Sequence, residues 1–249
     1  MKTVLLTGAT SGIGKATAII LAEKKYKLIL CGRNQTALDE LKMTLRTEVH
    51  ICNFDVRDKD AVFNQIQHLP TEFENIDILI NNAGNAHGLA TFDQADLEDL
   101  EAMIDINVKG LIYVTKAVLP LMPQQSESHI INISSVAGKE VYLNGTTYCA
   151  SKFAVEALTK GMRIDLQPLG IKVTGIAPGA VETNFSLVRF KGDSERANQA
   201  YNGYQPLTAE DVSATILFAI EQPNHVQIAD ITIFPKAQAS AANILRKQI

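Results

Sequence analysis

The chain has 249 residues, of which 46% are hydrophobic and 20% charged, and its formal net charge is −4. These proportions exclude a disordered or low-complexity chain, and they predict a core large enough to need no disulfide or metal for stability. The excess of acidic residues argues against a nucleic-acid-binding protein and against a protein that docks on a membrane surface.

Seven short apolar runs, rich in β-branched residues, predict seven β-strands. They cover residues 2–7, 27–31, 49–54, 76–80, 129–133, 172–177 and 227–234. Most of these runs are continuously apolar, as expected for strands that are covered on both faces. Amphipathic stretches between them predict helices over residues 12–24, 36–47, 58–69, 97–121, 148–166 and 209–221. The alternation predicts one α/β domain over residues 1–249, with a mostly parallel sheet and helices on both faces.

Two local signals stand out towards the carboxyl end of the chain. Thr208 and Asp211 have the spacing of a capping box, which predicts a well-defined start for the last helix. Residues 180–206 interrupt the alternation of strands and helices, and a loop of that length in a compact domain is usually functional or disordered. Because the loop follows the carboxyl end of a strand, where open α/β sheets bind ligands, we expect it to form a lid over a substrate site.

A glycine-rich turn links the first strand to the first helix, and its sequence is TGATSGIG at residues 7–14. Glycines at such a turn let the backbone approach a diphosphate, and the free N–H groups at the start of the helix attract its negative charge. The turn therefore predicts a dinucleotide-binding site. The alternative is an ordinary strand–helix turn, and the glycine spacing departs from the usual GxGxxG.

The end of the second strand predicts which dinucleotide binds. In folds that bind NAD, an acidic residue at this position binds the ribose 2′-hydroxyl. This chain instead has Gly32 followed by Arg33. A planar guanidinium suits a 2′-phosphate, so Arg33 favours NADP. The alternative is a solvated surface arginine.

A serine, a tyrosine and a lysine predict acid–base chemistry. Tyr148 and Lys152 are four residues apart on a predicted helix, so they project from the same face. A nearby ammonium favours the phenolate and would lower the tyrosine pKa, as a proton donor and acceptor requires. Ser135 follows the fifth strand, where its hydroxyl can polarise a carbonyl oxygen. Singly, each has an ordinary alternative, as a turn residue, a half-buried aromatic or a solvated lysine.

The cysteines and histidines indicate neither a disulfide framework nor a metal site. Cys31, Cys52 and Cys149 are an odd number and lie far apart in the sequence, which fits a reducing, cytoplasmic compartment. The five histidines form no HxxxH or HExxH pair, so we expect no bound metal. The amino-terminal apolar run is too short for the core of a signal peptide, and no run of ~18 apolar residues predicts a membrane span.

Together these motifs resemble the short-chain dehydrogenase/reductase family over nearly the whole chain. The TGxxxGxG turn, NNAG at residues 81–84, Ser135, and YxxxK at residues 148–152 stand in the order that the family shows. The resemblance implies a Rossmann-type, doubly wound domain with strand order 3-2-1-4-5-6-7. It also implies hydride transfer between a nicotinamide cofactor and a CH–OH group of a small-molecule substrate.

The resemblance implies roles for individual residues. Tyr148 would exchange the proton, Lys152 would hold the nicotinamide ribose, and Ser135 would position the substrate oxygen. Asn107 matches the fourth catalytic residue of the family, and it would hold a water molecule that links Lys152 to solvent. The residues implied in cofactor binding are Gly8, Thr10, Ser11, Gly12, Ile13, Gly14, Gly32, Arg33, Asn34, Asp55, Val56, Asn82, Ala83, Gly84, Tyr148, Lys152, Pro178, Gly179, Val181 and Thr183. Many NADP-specific members carry a basic residue at the position of Ser11, so here Arg33, with Asn34 beside it, is left to bind the phosphate.

Two segments, residues 103–120 and 185–193, resemble the bacterial NADP-dependent 3-hydroxy acid dehydrogenases within that family. The resemblance implies a homotetramer that acts on serine, allo-threonine or 3-hydroxyisobutyrate, or on the matching aldehyde or ketone. Arg189 lies in the second segment, and we expect its guanidinium to bind the substrate carboxylate with two parallel hydrogen bonds. Two alternatives stay open: a broad-specificity NADPH carbonyl reductase, and a catalytically silent regulator that senses a nucleotide.

Overall fold

The computed structural model describes residues 1–125 and 127–247, and its centre is a single seven-stranded sheet. The strands are β1 (Thr3–Thr7), β2 (Lys27–Gly32), β3 (Val49–Asn53), β4 (Ile78–Asn81), β5 (His129–Ile133), β6 (Lys172–Pro178) and β7 (Asp230–Ile233). They lie in the order 3-2-1-4-5-6-7, and all six pairings are parallel. The predicted order and the α/β class are therefore confirmed.

Helices cover both faces of the sheet. They are α1 (Gly12–Glu23), α2 (Gln35–Thr44), α3 (Lys59–Gln67), α4 (Leu97–Ile104), α5 (Leu111–Val118), α6 (Thr146–Asp165), α7 (Phe185–Arg189), α8 (Ser194–Gln199) and α9 (Ala209–Ile220). One apolar cluster packs α1 and α9 against the sheet through side chains such as Leu21 and Ile216. A separate cluster packs α3 and α5 against it through Ile66 and Val114. Because both faces are covered, the inner strands are buried along their whole length, as their continuous apolar runs predict.

The predicted helix over residues 97–121 is the largest difference between sequence and structure. The chain there forms α4, then a π-helical stretch at Asp105–Gly110, then α5 and a short 3₁₀ turn at Leu119–Leu121. A Cβ on Gly110 would lie 2.7 Å from Cγ2 of Val56, so only glycine lets the π stretch approach the loop after β3 this closely. π-helical turns occur mostly at functional sites, and this one carries Asn107.

The structure confirms the other helices to within a few residues at their ends. The capping box is present, since Thr208 Oγ1 accepts from the Asp211 N–H and an Asp211 carboxylate oxygen accepts from the Thr208 N–H. The segment 180–206 contains α7 and α8 rather than an irregular loop. In the described ranges, no helix is both long and apolar enough to cross a membrane.

Candidate active site

The carboxyl ends of β1, β2, β4, β5 and β6 surround a cavity of about 300 Å³. All the residues that the family resemblance implies in cofactor binding line this cavity, except Gly14 and Asn34. Ser135 lines it as well, whereas Asn107 does not, so the structure brings Ser135, Tyr148 and Lys152 together with most of the predicted cofactor residues. This is the edge at which open parallel sheets bind their ligands. The lining also includes residues that were not predicted from the sequence, among them Asn85, Phe185 and Val188.

The glycine turn is held in a shape that other residues would strain. Gly8 and Gly12 have φ angles of +64° and +46°, in the left-handed region. A Cβ on Gly14 would lie 2.1 Å from the Gly8 carbonyl oxygen, so Gly14 lets α1 pack against the turn instead of lining the cavity. Asn34 also has a local task, because its side chain accepts from the Ala37 N–H and caps α2.

The segment after β4 is hydrogen-bonded to the glycine turn. The Asn82 side chain donates to the carbonyl oxygens of Thr7 and Gly8, at 3.0 and 3.2 Å. In return, Thr7 Oγ1 accepts from the backbone N–H groups of Asn82 and Ala83, at 3.1 and 3.0 Å. Thr7 was not predicted as a site residue, yet it fixes the distance between the two loops that flank the cavity.

The end of β2 presents a cation and no acidic residue. The Arg33 side chain is 63% exposed, and its guanidinium lies 3.6 Å from an Asp55 carboxylate oxygen. Arg57 binds the same carboxylate more closely, at 2.7 Å. Although burial raises the pKa of Asp55, the hydrogen bonds from Arg57 and the charge of Arg33 hold it below its ordinary value. Asp55 therefore stays ionised and is neutralised mainly by Arg57, which leaves the Arg33 guanidinium open to an anion at the cavity mouth.

Ser135 and Tyr148 face each other across the cavity. Ser135 begins the short 3₁₀ turn after β5, and its hydroxyl accepts from the Ala137 N–H at 3.1 Å. Tyr148 lies on α6 and is only 8% exposed. Burial raises the pKa of the Tyr148 phenol well above its ordinary value, the nearby Tyr142 raises it further, and the Ser135 hydroxyl lowers it. In this structure the phenol is therefore protonated at neutral pH.

Lys152 lies on the same face of α6 as Tyr148, as the four-residue spacing predicts. Its ammonium is 6.0 Å from the centre of the Tyr148 ring and donates to the Ile133 carbonyl oxygen at 3.0 Å. Burial lowers the Lys152 pKa from 10.5 to about 8, and the carboxylate of Glu156 opposes that change. The lowered tyrosine pKa expected from this pair is not what the structure shows, because burial of the phenol outweighs the effect of an ammonium at that distance.

Asn107 is buried in the π-helical stretch, and its amide is fully engaged with the protein. The amide group donates to the Asn85 carbonyl oxygen and to Ser151 Oγ, at 2.8 and 3.0 Å, while its oxygen accepts from the Asn85 N–H at 2.7 Å. A Cβ on Gly84 would lie 3.2 Å from Asn107 Oδ1 and 3.3 Å from Lys152 Nζ. Asn107 thus orients the loop after β4 beside Lys152, and the water that the resemblance implies stays a prediction.

Arg189, at the end of α7, lies beside Tyr148. Its guanidinium carbon is 5.7 Å from the ring centres of both Tyr142 and Tyr148. Arg189 and Tyr148 share the wall of a second cavity of about 310 Å³, to which His87 and Arg196 also contribute. The structure therefore places a cation within reach of a substrate that contacts Tyr148. Tyr142 and His87, which lie close to this cation or in the same cavity wall, were not predicted from the sequence.

The family assignment comes from comparison with known proteins. Residues 2–192 match the family model described as short chain dehydrogenase. The chain belongs to the short-chain dehydrogenase family. The resemblance stated from the motifs is thereby confirmed, and the tyrosine, lysine and glycine turn of this family are the residues that meet at the cavity.

Members of the family with named activities match this dehydrogenase over its full length. The NADP-dependent 3-hydroxy acid dehydrogenase of Schizosaccharomyces pombe is 40% identical, with 99% of this chain and 97% of that protein covered. The NADP-dependent 3-hydroxy acid dehydrogenase YdfG of Escherichia coli O6:H1 is 42% identical, with 98% and 99% covered. A solved structure, the closed form of serine dehydrogenase complexed with NADP+, has a TM-score of 0.93 and 42% identity, with 99% of this chain and 100% of that chain covered.

Proposed function

We propose that this chain is an NADP-dependent oxidoreductase that transfers a hydride between the nicotinamide and a small 3-hydroxy acid, or the matching aldehyde or ketone. The observation that carries the proposal is the position of Arg189, whose guanidinium carbon lies 5.7 Å from the ring centre of the buried Tyr148. A 3-hydroxy acid has its carboxylate at a short, fixed distance from the reacting hydroxyl. A cation next to the proton-exchanging phenol suits that substrate class, and the names of the full-length relatives point the same way.

The residues at the cavity suit NADP as the cofactor. The backbone of the glycine turn and the amino end of α1 offer N–H groups to a diphosphate. Gly32 leaves no acid that would repel a 2′-phosphate, and the exposed Arg33 guanidinium can form charge-assisted hydrogen bonds to it. When bound, NADP⁺ supplies the hydride acceptor for alcohol oxidation.

The residues of this chain divide the remaining work. As a phenolate, Tyr148 takes the proton of the substrate hydroxyl while the C–H hydride leaves; as a phenol, the form that its buried site favours, it gives a proton to the carbonyl oxygen in the reverse reaction. Ser135 holds the substrate oxygen next to the Tyr148 phenol. Lys152 holds the nicotinamide ribose, and it remains largely charged at neutral pH because its pKa is about 8. Asn107 holds the loop after β4 through the backbone of Asn85, which keeps Gly84 beside Lys152.

A substrate panel tests the proposed function. Formation of reduced cofactor is followed by absorbance with L- and D-serine, allo-threonine and 3-hydroxyisobutyrate, each with NADP and with NAD. Consumption of NADPH is followed with simple ketones. We expect turnover of the hydroxy acids with a clear preference for NADP. Efficient reduction of neutral ketones alone would indicate a broad carbonyl reductase instead, and tight NADPH binding without any turnover would indicate a nucleotide sensor.

The proposed role of Arg189 has its own test. Arg189→Met should raise the KM for serine or 3-hydroxyisobutyrate by roughly 10- to 150-fold, the value of a charge-assisted hydrogen bond. Activity on a neutral alcohol or ketone should survive, because the Tyr148 chemistry is untouched. Equal losses on charged and neutral substrates would mean that Arg189 shapes the cavity without recognising the carboxylate.

We also propose that the enzyme is a homotetramer that works in the cytoplasm. Support for assembly comes from apolar side chains left exposed on α5 and α6, including Ile112, Phe153 and Ile164, the last of which is 73% exposed. Support for a reducing compartment comes from the three cysteines, which are buried and unpaired among the described residues. Light scattering on the purified protein tests the first point, because a monomer at micromolar concentration would contradict it.

A further inference from the structure

The turn that follows α7 is fastened to the loop that follows β4. The Gly88 N–H donates to the Arg189 carbonyl oxygen at 2.9 Å, and Arg189 Nε donates back to the Gly88 carbonyl oxygen at 3.2 Å. One bond uses the backbone of Arg189 and the other uses its side chain. Together they fix both the position of the residue and the direction in which its guanidinium leaves the backbone.

An ion pair lies directly beside these hydrogen bonds. Lys191 Nζ is 2.9 Å from a carboxylate oxygen of Asp99 and 3.8 Å from one of Asp96. A Cβ on Gly88 would lie 3.2 Å from the same Asp99 oxygen, so the carboxylate packs against the Gly88 backbone. The Asp99 side chain is only 17% exposed, and it therefore has less freedom to move than a typical surface acid.

Lys191 adopts a backbone conformation that lysine disfavours. Its φ angle is +54°, and the next residue, Gly192, has a φ of +92°. A side chain longer than that of glycine or asparagine is uncommon in the left-handed region, and such outliers persist where surrounding contacts hold them. Here the contact that compensates is the Lys191–Asp99 ion pair.

We propose that Lys191 and Asp99 are positioning residues for substrate selection, because their ion pair holds the α7 turn against Gly88 and so keeps the Arg189 guanidinium over Tyr142 and Tyr148. This inference rests on the proposed role of Arg189 in binding the carboxylate. Lys191 lies with Arg189 in the wall of the second cavity, and its amine is already paired with the Asp99 carboxylate. Its task is therefore indirect: it sets where Arg189 is, and Arg189 binds the substrate.

The test compares the effects of removing each partner of the pair. Lys191→Met and Asp99→Asn should each raise the KM for 3-hydroxyisobutyrate by roughly two- to fivefold, the range that exposed ion pairs give. The dissociation constant for NADP and the KM for a neutral alcohol should stay unchanged. The exchanged pair, Asp99→Lys with Lys191→Asp, should recover part of the lost affinity. Matched controls are Lys24→Met and Glu221→Gln, which remove an ion pair of 3.6 Å between the residues that directly follow α1 and α9, on a different part of the surface, and should leave every constant unchanged.

The sign of the Asp99→Asn effect separates positioning from direct binding. If Lys191 bound the substrate carboxylate itself, Asp99→Asn would release its amine and lower the KM, and that result would overturn the inference. In an Arg189→Met background, Lys191→Met should add no further loss, whereas an additive loss would also contradict it. The proposed function fails separately, if Arg189→Met itself does not distinguish charged from neutral substrates. A Lys191→Met enzyme with an unchanged KM, beside an impaired Arg189→Met enzyme, would refute only the role of the ion pair.

Discussion

Replacement of the buried Lys152 by methionine should change how the stability of the protein depends on pH. Burial lowers the Lys152 pKa from 10.5 to about 8, so the folded state binds the proton less tightly than the unfolded chain does. Each pH unit of such a shift is worth about 1.36 kcal/mol, so the charged lysine costs the folded state about 3 kcal/mol at pH 7. Between pH 8 and pH 10.5 the unfolded chain holds more protons, so the parent protein should gain stability as the pH rises. Lys152→Met removes this gain.

The expected difference in the free energy of unfolding follows from two contributions of the Lys152 side chain. Methionine removes the cost of about 3 kcal/mol at pH 7, and it also removes the hydrogen bond to the Ile133 carbonyl oxygen, which offsets roughly 1–2 kcal/mol of the benefit. We expect Lys152→Met to be more stable than the parent by about 1–2 kcal/mol at pH 7. Between pH 7 and pH 10, the parent should gain roughly 2–3 kcal/mol of stability relative to the variant.

Urea unfolding of both proteins, followed by circular dichroism at several pH values, measures these differences. Lys160→Met is the matched control, since Lys160 lies exposed on the same helix and its loss should leave the pH dependence unchanged. A Lys152→Met protein whose stability difference from the parent is the same at pH 7 and pH 10 would refute the argument. So would a variant that is markedly less stable than the parent at pH 7.

Three further predictions concern the cofactor site, the chemistry and the fold. Tyr148→Phe should reduce turnover by roughly 10²–10⁴-fold, as expected for loss of a general acid–base, while the NADP dissociation constant from fluorescence titration changes little because Lys152 is intact. Arg33→Ala should weaken NADP binding by roughly 10- to 150-fold, and an unchanged NADP affinity would mean that another residue binds the phosphate. Adding Gly32→Asp should shift the cofactor preference towards NAD, measured as the ratio of the kcat/KM values for the two cofactors. Thr208→Ala should lower the free energy of unfolding by about 1 kcal/mol through loss of the α9 capping box, without a change in kcat/KM.

Local patterns in the sequence were enough to predict the strands, most of the helices and the α/β class, whereas the family resemblance supplied the strand order and most of the cavity residues. A strand that is covered on both faces has no side facing water, so its sequence is continuously apolar. The apolar runs therefore predict such strands, and the structure confirms them. The four-residue spacing of Tyr148 and Lys152 predicts a shared helix face because the helical period fixes it. The order of the strands came from the family resemblance, since hydrophobic pattern carries no information on which strands pair.

Features that depend on contacts between distant loops could not be predicted in this way. The π-helical stretch around Asn107 has the same apolar period as an α-helix, so the sequence predicted one continuous helix there. The raised Tyr148 pKa depends on how deeply α6 is buried, which spacing does not reveal. The pairing of Lys191 with Asp99 joins residues 92 positions apart, and no local pattern indicates it.

The proposed function requires that the enzyme selects a 3-hydroxy acid by its carboxylate. It is tested most directly by kcat/KM for NADP reduction with 3-hydroxyisobutyrate and with its methyl ester, which keeps the reacting hydroxyl and removes the charge. We expect the acid to be preferred by roughly 10- to 150-fold, the value of a charge-assisted hydrogen bond to Arg189. Equal kcat/KM values for the two compounds, or a preference for the ester, would contradict it.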